Sequence, residues 1–244
     1  LVGQRIALLT NNDSAYSDAL TLKQAGAHVT VVDARRGNSV VGGLVQQAQM
    51  AGVEILRGFV PIEAKGGLTV GGLVVRQMVG DKASGEQRNL VCDAVGMAGG
   101  WNPAIHLYSH SGGKARWNDA AVCFTPGVAM PNQFNVGACN ATWTLSQSLT
   151  DASHAGAQAA TRAGFPATAA DFQVVEPAVE AISAFWIAET GEPVSRRAKA
   201  FVDYQNDVGA SDIELAIREG FESIEHIKRY TAMGFGTDQG KTGN

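Results

Sequence analysis

The first sixty residues alternate between strand-like and helix-like apolar spacing, and this alternation restricts the fold more than any other feature. Residues 5–10 (RIALLT) form a short apolar run suited to a buried parallel strand. A polar turn follows at residues 11–14, with Ser14 expected as the N-cap of a helix over about residues 15–25. Ala15, Ala19 and Leu22 share one face of that helix, and Gly26 closes it. The β-branched run 29–32 makes a second strand ending at Asp33. Another helix is expected at about residues 40–51, closed by Gly52, and a strand at 53–56. Strands joined by helices of this length build a parallel sheet covered by helices, an α/β, Rossmann-like arrangement.

The pattern then changes. Residues 59–64, 73–79 and 86–92 are strand-like and separated by Gly-containing turns at 65–67 and 80–85, as in an antiparallel meander. Residues 93–96 return to a buried strand, and 99–131, rich in Gly, Pro, His and Trp, read as ordered loops. A short strand is expected at 134–138, an alanine-rich helix at 155–164, and a linker with one amphipathic or strand-like piece at 166–193. Near the end, Ser211 and Glu214 have capping-box spacing and open a helix that stops at Gly220. A last helix spans 223–232, its Ile224, Ile227 and Tyr230 set to meet Ile213, Ala216 and Ile217. The C-terminal portion is therefore a small, mainly helical domain.

Composition excludes some functions. The 23 acidic and 19 basic residues are interspersed, giving a net charge of -4 and no footprint for nucleic acid. No stretch approaches the roughly 18 consecutive apolar residues that a membrane span needs. The three cysteines, Cys92, Cys123 and Cys139, lie far apart, which fits a reducing cytoplasm better than a disulfide framework. No signal peptide precedes the first strand, and the start at Leu1 fits a segment of a longer polypeptide.

Candidate chemistry centres on the first βαβ unit. A dinucleotide-binding turn carries G-x-G-x-x-G or -A so that the backbone can approach a pyrophosphate at the helix N-terminus. Here the turn reads Thr10, Asn11, Asn12, Asp13, Ser14, Ala15, and only Ala15 fits. Asparagine tolerates left-handed backbone, which offers one way to preserve the turn. Ser14 and Ala15 would face the cofactor. Asp33 stands where an acid binds the adenosine ribose, with Arg35 and Arg36 placed for a 2′-phosphate. Equally open is a structural Asp33 beside solvated arginines. His106 and His110 lie four apart without an accompanying acid, so packing is favoured over metal binding. Cys139 has no paired thiol for disulfide chemistry. No catalytic triad or usable carboxylate pair stands out.

Three runs carry a resemblance: TNNDSAY, GGWNPAIHLYSHSGGKARW and FVDYQNDV…GTDQGKTGN. Residues 91–103 are similar to the return segment D-x-V-x-x-A-x-G-R-x-P-N of two-dinucleotide flavoproteins, and 135–140 (NVGACN) to their late A-G-D strand end. Gly99, Gly137, Ala138, Cys139 and Asn140 become cofactor-binding candidates on that basis. No Asp follows Gly137, which argues against FAD here. Residues 201–244 resemble a helical two-iron, two-sulfur module in which Asp203, Gln205, Asp238 and Gly243 stand at the cysteine positions. None of these side chains supplies a thiolate, so no iron–sulfur cluster and no other metal is expected.

Together the runs resemble the α subunit of heterotetrameric sarcosine oxidase. The resemblance implies an inserted NAD-type domain with a meander at residues 1–91 and the returning half of the FAD/NAD-type domain at 92–165. A linker at 166–200 and the cluster-less module at 201–244 would follow. It implies NAD in the full-length subunit, FMN at the subunit interface and FAD on the β subunit. It further implies oxidation of sarcosine to glycine with hydrogen peroxide as product, tetrahydrofolate capturing the one-carbon unit, and β, γ and δ partners. Asp203, Gln205, Asn206, Asp238, Gln239 and Lys241 would face FMN or the β subunit, and no catalytic residue would lie in this chain. The alternatives are an autonomous NAD(P)H-dependent flavoprotein reductase, a cofactor-free interaction module, and the related subunit of an opine or amino-acid dehydrogenase. The missing glycines and redox cysteines oppose the reductase, and the replaced cluster cysteines oppose the dehydrogenase.

Overall fold

The computed structural model describes residues 2–37, 43–176, 178–237 and 240. The chain opens with β1 (Arg5–Thr10), α1 (Ser14–Gln24), β2 (His28–Asp33), α2 (Gly43–Met50) and β3 (Glu54–Arg57). It continues with β4 (Phe59–Gly66), β5 (Val70–Val79), β6 (Lys82–Leu90), β7 (Ala94–Ala98), α3 (His106–His110), β8 (Ala115–Asn118) and β9 (Cys123–Pro126). It ends with α4 (Leu145–Arg162), β10 (Phe201–Asp203), β11 (Val208–Gly209), α5 (Ala210–Arg218) and α6 (Ile224–Thr231). Two compact units result: Leu1–Gly58 with Asp93–Phe185, and Phe59–Cys92 with Trp186–Asn244.

The first unit is built on the expected parallel sheet, in the order β3-β2-β1-β7. Ile6 pairs with Val29 on one side and Ala94 on the other. Residues 6–9 of β1 are buried throughout, as parallel strands covered on both faces must be. Tyr16 and Ala19 of α1 and Val45 and Ala48 of α2 pack with Ile6, Leu8, Val29 and Val31. Full burial of each large aliphatic side chain contributes about 1.5–3 kcal/mol. Gly26, at φ +96°, ends α1 while the Ala27 N–H donates to Leu22 O, a left-handed closure that disfavours a side chain. The expected start of α2 near residue 40 lies outside the described residues.

Several boundaries differ from expectation. Asp13, not Ser14, is the N-cap of α1, and Ser14 is its first helical residue. The cause is Asn12, whose side-chain oxygen accepts from both Ser14 N and Ser14 Oγ and draws Ser14 into the helix. The returning strand β7 is a half-buried sheet edge, not a buried strand. The stretch read as loops contains α3 and the antiparallel hairpin β8–β9. Tyr108 anchors it: the ring is 1% exposed, and its hydroxyl lies 2.8 Å from Val128 O and 3.1 Å from Lys114 O. A Cβ on Gly113 would fall 2.3 Å from that ring, so the chain passes there only as glycine. No strand forms at 134–138, because Gly137 (φ +68°) and Ala141 (φ +59°) wind the chain into a short 3-10 helix, Gly137–Asn140. The alanine-rich helix is longer than its composition signalled, since Thr144 caps it at Gln147 N and extends α4 back to Leu145.

The second unit holds the expected meander, β4-β5-β6, with Leu73 between Ala64 and Leu90. Leu73, Val74 and Val75 are buried, and the Ala83 N–H donates to Glu189 O. Further along, β10 and β11 form a hairpin that leads into α5. This helix starts at Ala210, and Asp212, not Glu214, receives the N-cap N–H of Gly209 at 2.7 Å. Ser211 is already helical, so the expected capping box is displaced. Ala216 and Ile227 are the buried residues of α5 and α6, whereas Ile217, Ile224 and Tyr230 are largely exposed. No helix among the described residues is long and apolar enough to cross a membrane.

Candidate functional site

The turn between β1 and α1 holds its shape without glycine and without positive φ: Thr10, Asn11, Asn12 and Asp13 are all buried. The Thr10 hydroxyl lies 2.9 Å from Asn12 O and accepts from Asn12 N at 3.1 Å. The Asn12 amide donates to Asn11 Oδ1 and to Ala98 O, each at 2.9 Å. Left-handed asparagine is therefore not what preserves the turn. The side chains at the two missing glycine positions fill the turn, Thr10 bonding the Asn12 backbone and Asn12 bonding Asn11, Ser14 and Ala98.

Behind it lies a buried ionic cluster. Asp33 is 0% exposed. Its carboxylate accepts from Arg35 N at 2.9 Å, from Arg35 Nε and Nη2 at 3.0 and 2.8 Å, and from the Tyr16 hydroxyl at 2.8 Å. Arg35 Nη2 also lies 2.8 Å from Asp13 Oδ1. Burial of Arg35 works against its charge, but the hydrogen bonds it donates to Asp33 and the paired Asp33 and Asp13 carboxylates outweigh this and hold the guanidinium protonated. Burial, then the neighbouring Asp33 charge, pushes the Tyr16 phenol far above its ordinary range, keeping it a neutral donor. The Asp33 oxygens are thus already engaged within the fold, which accords with the structural reading of this residue and not with the ribose-binding one. Arg35 is likewise not a solvated arginine.

Segment 178–185, read from sequence as linker, supplies further partners. Glu180 receives two hydrogen bonds from Arg57 Nη2, at 2.9 and 2.8 Å, and lies 3.8 Å from Arg35 Nη1. Its own N–H donates to Asp13 Oδ2 at 2.7 Å. Asn11 and Ser183 exchange a bond in each direction: Ser183 N to Asn11 O at 3.0 Å and Asn11 Nδ2 to Ser183 O at 2.8 Å. Glu180 and Arg57 carry no motif and no sequence signal pointed to them, while Tyr16 closes the TNNDSAY run without its role being legible there.

The other cofactor candidates lie elsewhere in this unit. Gly99 is exposed and follows Ala98, whose carbonyl receives Asn12. Gly137, Ala138, Cys139 and Asn140 form the short 3-10 helix, with Ala138 and Asn140 exposed and the Cys139 thiol donating to Val136 O. Asn140 lines a cleft of about 240 Å³ shared with Gln133, Phe134, Asn135 and Gly127. The N-terminus of α4 is filled by Glu176, whose carboxylate accepts from Leu145 N and Ser146 N. His106 and His110 sit one turn apart on α3; among the described residues no three His, Cys, Asp or Glu converge on a metal-sized site. Cys92 and Cys123 are buried, and burial raises the Cys123 thiol.

In the second unit, Asp203 is 2% exposed and closes the helical module on itself. It accepts from Gln205 N at 2.8 Å, Asn206 Nδ2 at 3.0 Å and Gly234 N at 2.8 Å, tying the hairpin to the loop after α6. It therefore does not face a partner as expected. Gln205 and Asn206 are exposed, and the Gln205 side chain packs on Gly236, where a Cβ would clash with it. Asp238, Gln239, Lys241 and Gly243 lie outside the described residues.

Residues 197–244 match the sarcosine oxidase A3 domain. Over 98% of its length the chain is 34% identical to the sarcosine oxidase subunit alpha of Corynebacterium sp. (strain P-1), covering 25% of that protein. Over 99% it is 31% identical to the corresponding subunit of Rhizobium meliloti (strain 1021), covering 23% of it. Along nearly its whole length the chain is similar to one segment of the sarcosine oxidase α subunits. It spans about a quarter of the length of the curated relatives it matches. The L-proline dehydrogenase of P. horikoshii shares its fold: a superposition covers 98% of this chain and 42% of that one, with a TM-score of 0.56 and 17% identity.

The residues that match the A3 domain are those closed by Asp203, which makes the closure testable. The Asn206 side chain first, then the Gly234 N–H, holds the Asp203 carboxyl below its ordinary value. A depressed folded pKa gives stability that is complete above the unfolded value of about 4 and lost as pH falls through the folded one. The unfolding midpoint of the module should therefore fall between pH 5 and pH 2 (roughly the range of that titration). Asp203→Asn should flatten that dependence, and Asp203→Ala should lower the midpoint at neutral pH. Wild-type and Asp203→Asn profiles that run parallel would show that the carboxylate is not the closing group.

Proposed function

We propose that this chain is part of the α subunit of a cytoplasmic oxidoreductase complex that demethylates sarcosine to glycine with release of hydrogen peroxide. The observation that carries the reading is the match along nearly the whole chain to proteins named sarcosine oxidase subunit alpha. In this reading β, γ and δ subunits complete the complex, FAD on the β subunit takes electrons from sarcosine, and tetrahydrofolate receives the one-carbon unit. FMN lies where the helical module meets the β subunit. The exposed Gln205 and Asn206, together with exposed Tyr204, Ile217, Ile224, Tyr230 and Phe235, supply the polar and apolar surface such docking needs. Asp238, Gln239 and Lys241 complete that set in this proposal.

NAD would be held by the full-length subunit, with Gly99 and the Gly137–Asn140 turn contributing to its site. Ser14, Ala15 and Asp33 do not fit it: the carboxylates of Asp13 and Asp33 are engaged by Arg35, and Glu180 lies over the turn. This chain positions cofactor and partners, and no residue in it moves a proton for the reaction.

The test is to purify the full-length polypeptide with its co-expressed neighbours and identify the chains that accompany it. Sarcosine-dependent peroxide and NAD released on denaturation, measured by mass spectrometry, are the expected results. A polypeptide that purifies alone and gives neither would sink the proposal.

A further inference from the structure

In open α/β sheets a nucleotide lies across the carboxyl ends of the strands, against the first helix N-terminus. In the first unit that place is crossed by residues 180–183. Ser183 is paired with Asn11 just past β1, Glu180 N is bound to Asp13 at the cap of α1, and the Glu180 carboxylate is clamped by Arg57 at the end of β3. Ile182 reaches Gly100, two residues past the end of β7, where an added Cβ would fall 2.7 Å from its Cδ1. One short strap therefore touches the ends of β1, β3 and β7 and the start of α1. Upstream on the same segment, Glu176 places its carboxylate on the first two N–H groups of α4. The N-terminus of α4, a place where this fold receives anions, is thus served by a carboxylate of the chain itself, while at α1 the Asp13 carboxylate is taken by Glu180 N and Arg35. The arginine positioned for a 2′-phosphate is turned inward between Asp13 and Asp33.

We infer that residues 180–183 are the resident occupant of the inserted nucleotide cleft, which works as a latch for the chain's own strap and admits neither NAD nor NADP. The electrostatics agree. A phosphate approaching Arg57 must first displace Glu180 from it, and Arg35 is already held between Asp13 and Asp33. Bound nucleotide and bound strap exclude each other. The cleft joins segment 178–185 to the sheet, a link that otherwise depends on a long stretch without regular structure. This inference rests on the fold of the first unit and not on the sarcosine reaction, so loss of either leaves the other standing.

Hydrogen exchange read by mass spectrometry on the full-length polypeptide tests it, with ADP-ribose and 2′-phospho-ADP-ribose as probes. In the wild type, peptides spanning 178–185 should be protected, and millimolar probe (roughly the weak-binding limit) should leave exchange over residues 10–15 unchanged. Glu180→Ala should speed exchange of the strap by on the order of tenfold, since both hydrogen bonds from Arg57 and the ion pair with Arg35 are lost together. Ser183→Pro, which removes the N–H given to Asn11, should do the same without touching the ionic cluster. Either of two outcomes overturns the inference: probe-dependent protection over residues 10–15 in the wild type, or a wild-type strap that exchanges as fast as in both variants.

Discussion

Replacing Arg35 with alanine is expected to destabilise the first unit by about 3–5 kcal/mol, the cost of breaking a buried ion pair from one side. The guanidinium is 3% exposed, and its partners Asp13 and Asp33 are 5% and 0% exposed, so neither carboxylate finds water when the cation leaves. Arg35→Lys should recover only part of the loss, because an ammonium cannot present the planar fork that meets Asp33 through Nε and Nη2 while also reaching Asp13. Arg88 provides the contrast. Its pair with Glu86 is exposed on both sides, and Arg88→Ala, which also loses the contact with the Phe59 ring, should cost clearly less than Arg35→Ala. Urea unfolding followed by far-ultraviolet circular dichroism separates these cases. A loss below about 1 kcal/mol for Arg35→Ala would mean that the cluster is solvated and contributes little.

Ile227→Asp is expected to unfold the helical module, at a cost of about 4 kcal/mol or more. Some 2–3 kcal/mol of this is lost apolar burial, and the rest is a carboxylate placed where no partner awaits it. Ile227 is 6% exposed on α6, whereas Ile224 on the same helix is 60% exposed. Ile224→Asp should therefore leave the module folded, and Ile227→Val should cost only about 0.5–1.5 kcal/mol. The contact of Phe221 with Tyr230, centroids 4.8 Å apart, offers a near-ultraviolet signal for packing. An Ile227→Asp protein that retains that signal would show that the two helices are not held through this side chain.

Periodicity made the regular parts of this fold legible. The buried run of β1, the β-branched run of β2 and the glycine-punctuated meander are local signals, and each lies close to where spacing put it. What stayed hidden depends on partners distant in sequence. The α4 helix starts ten residues before its alanine-rich portion because Thr144 and Glu176 cap it, and Glu176 belongs to a stretch with no period. The stripe Ile217, Ile224 and Tyr230 looks like a core face in projection, yet only Ala216 and Ile227 are buried, since α5 and α6 meet along a narrower seam. In the candidate site, Asp33 and Arg35 were visible by position but not in role. An acid at the end of a second strand reads as a ribose ligand until Tyr16, Asp13 and Glu180 are seen around it. Those contacts span up to 167 residues, and no motif encodes them.

The Asp203 closure also bears on how such a subunit is made. A module pinned by thiolates around iron needs cysteines kept reduced, a cluster delivered to it, and protection from chelators and oxygen while it folds. A module pinned by one carboxylate to three N–H donors has no such dependencies. Its closure calls on groups of the chain between Asp203 and Gly234 and on no delivered ion. Its weak point moves from metal supply to acidity.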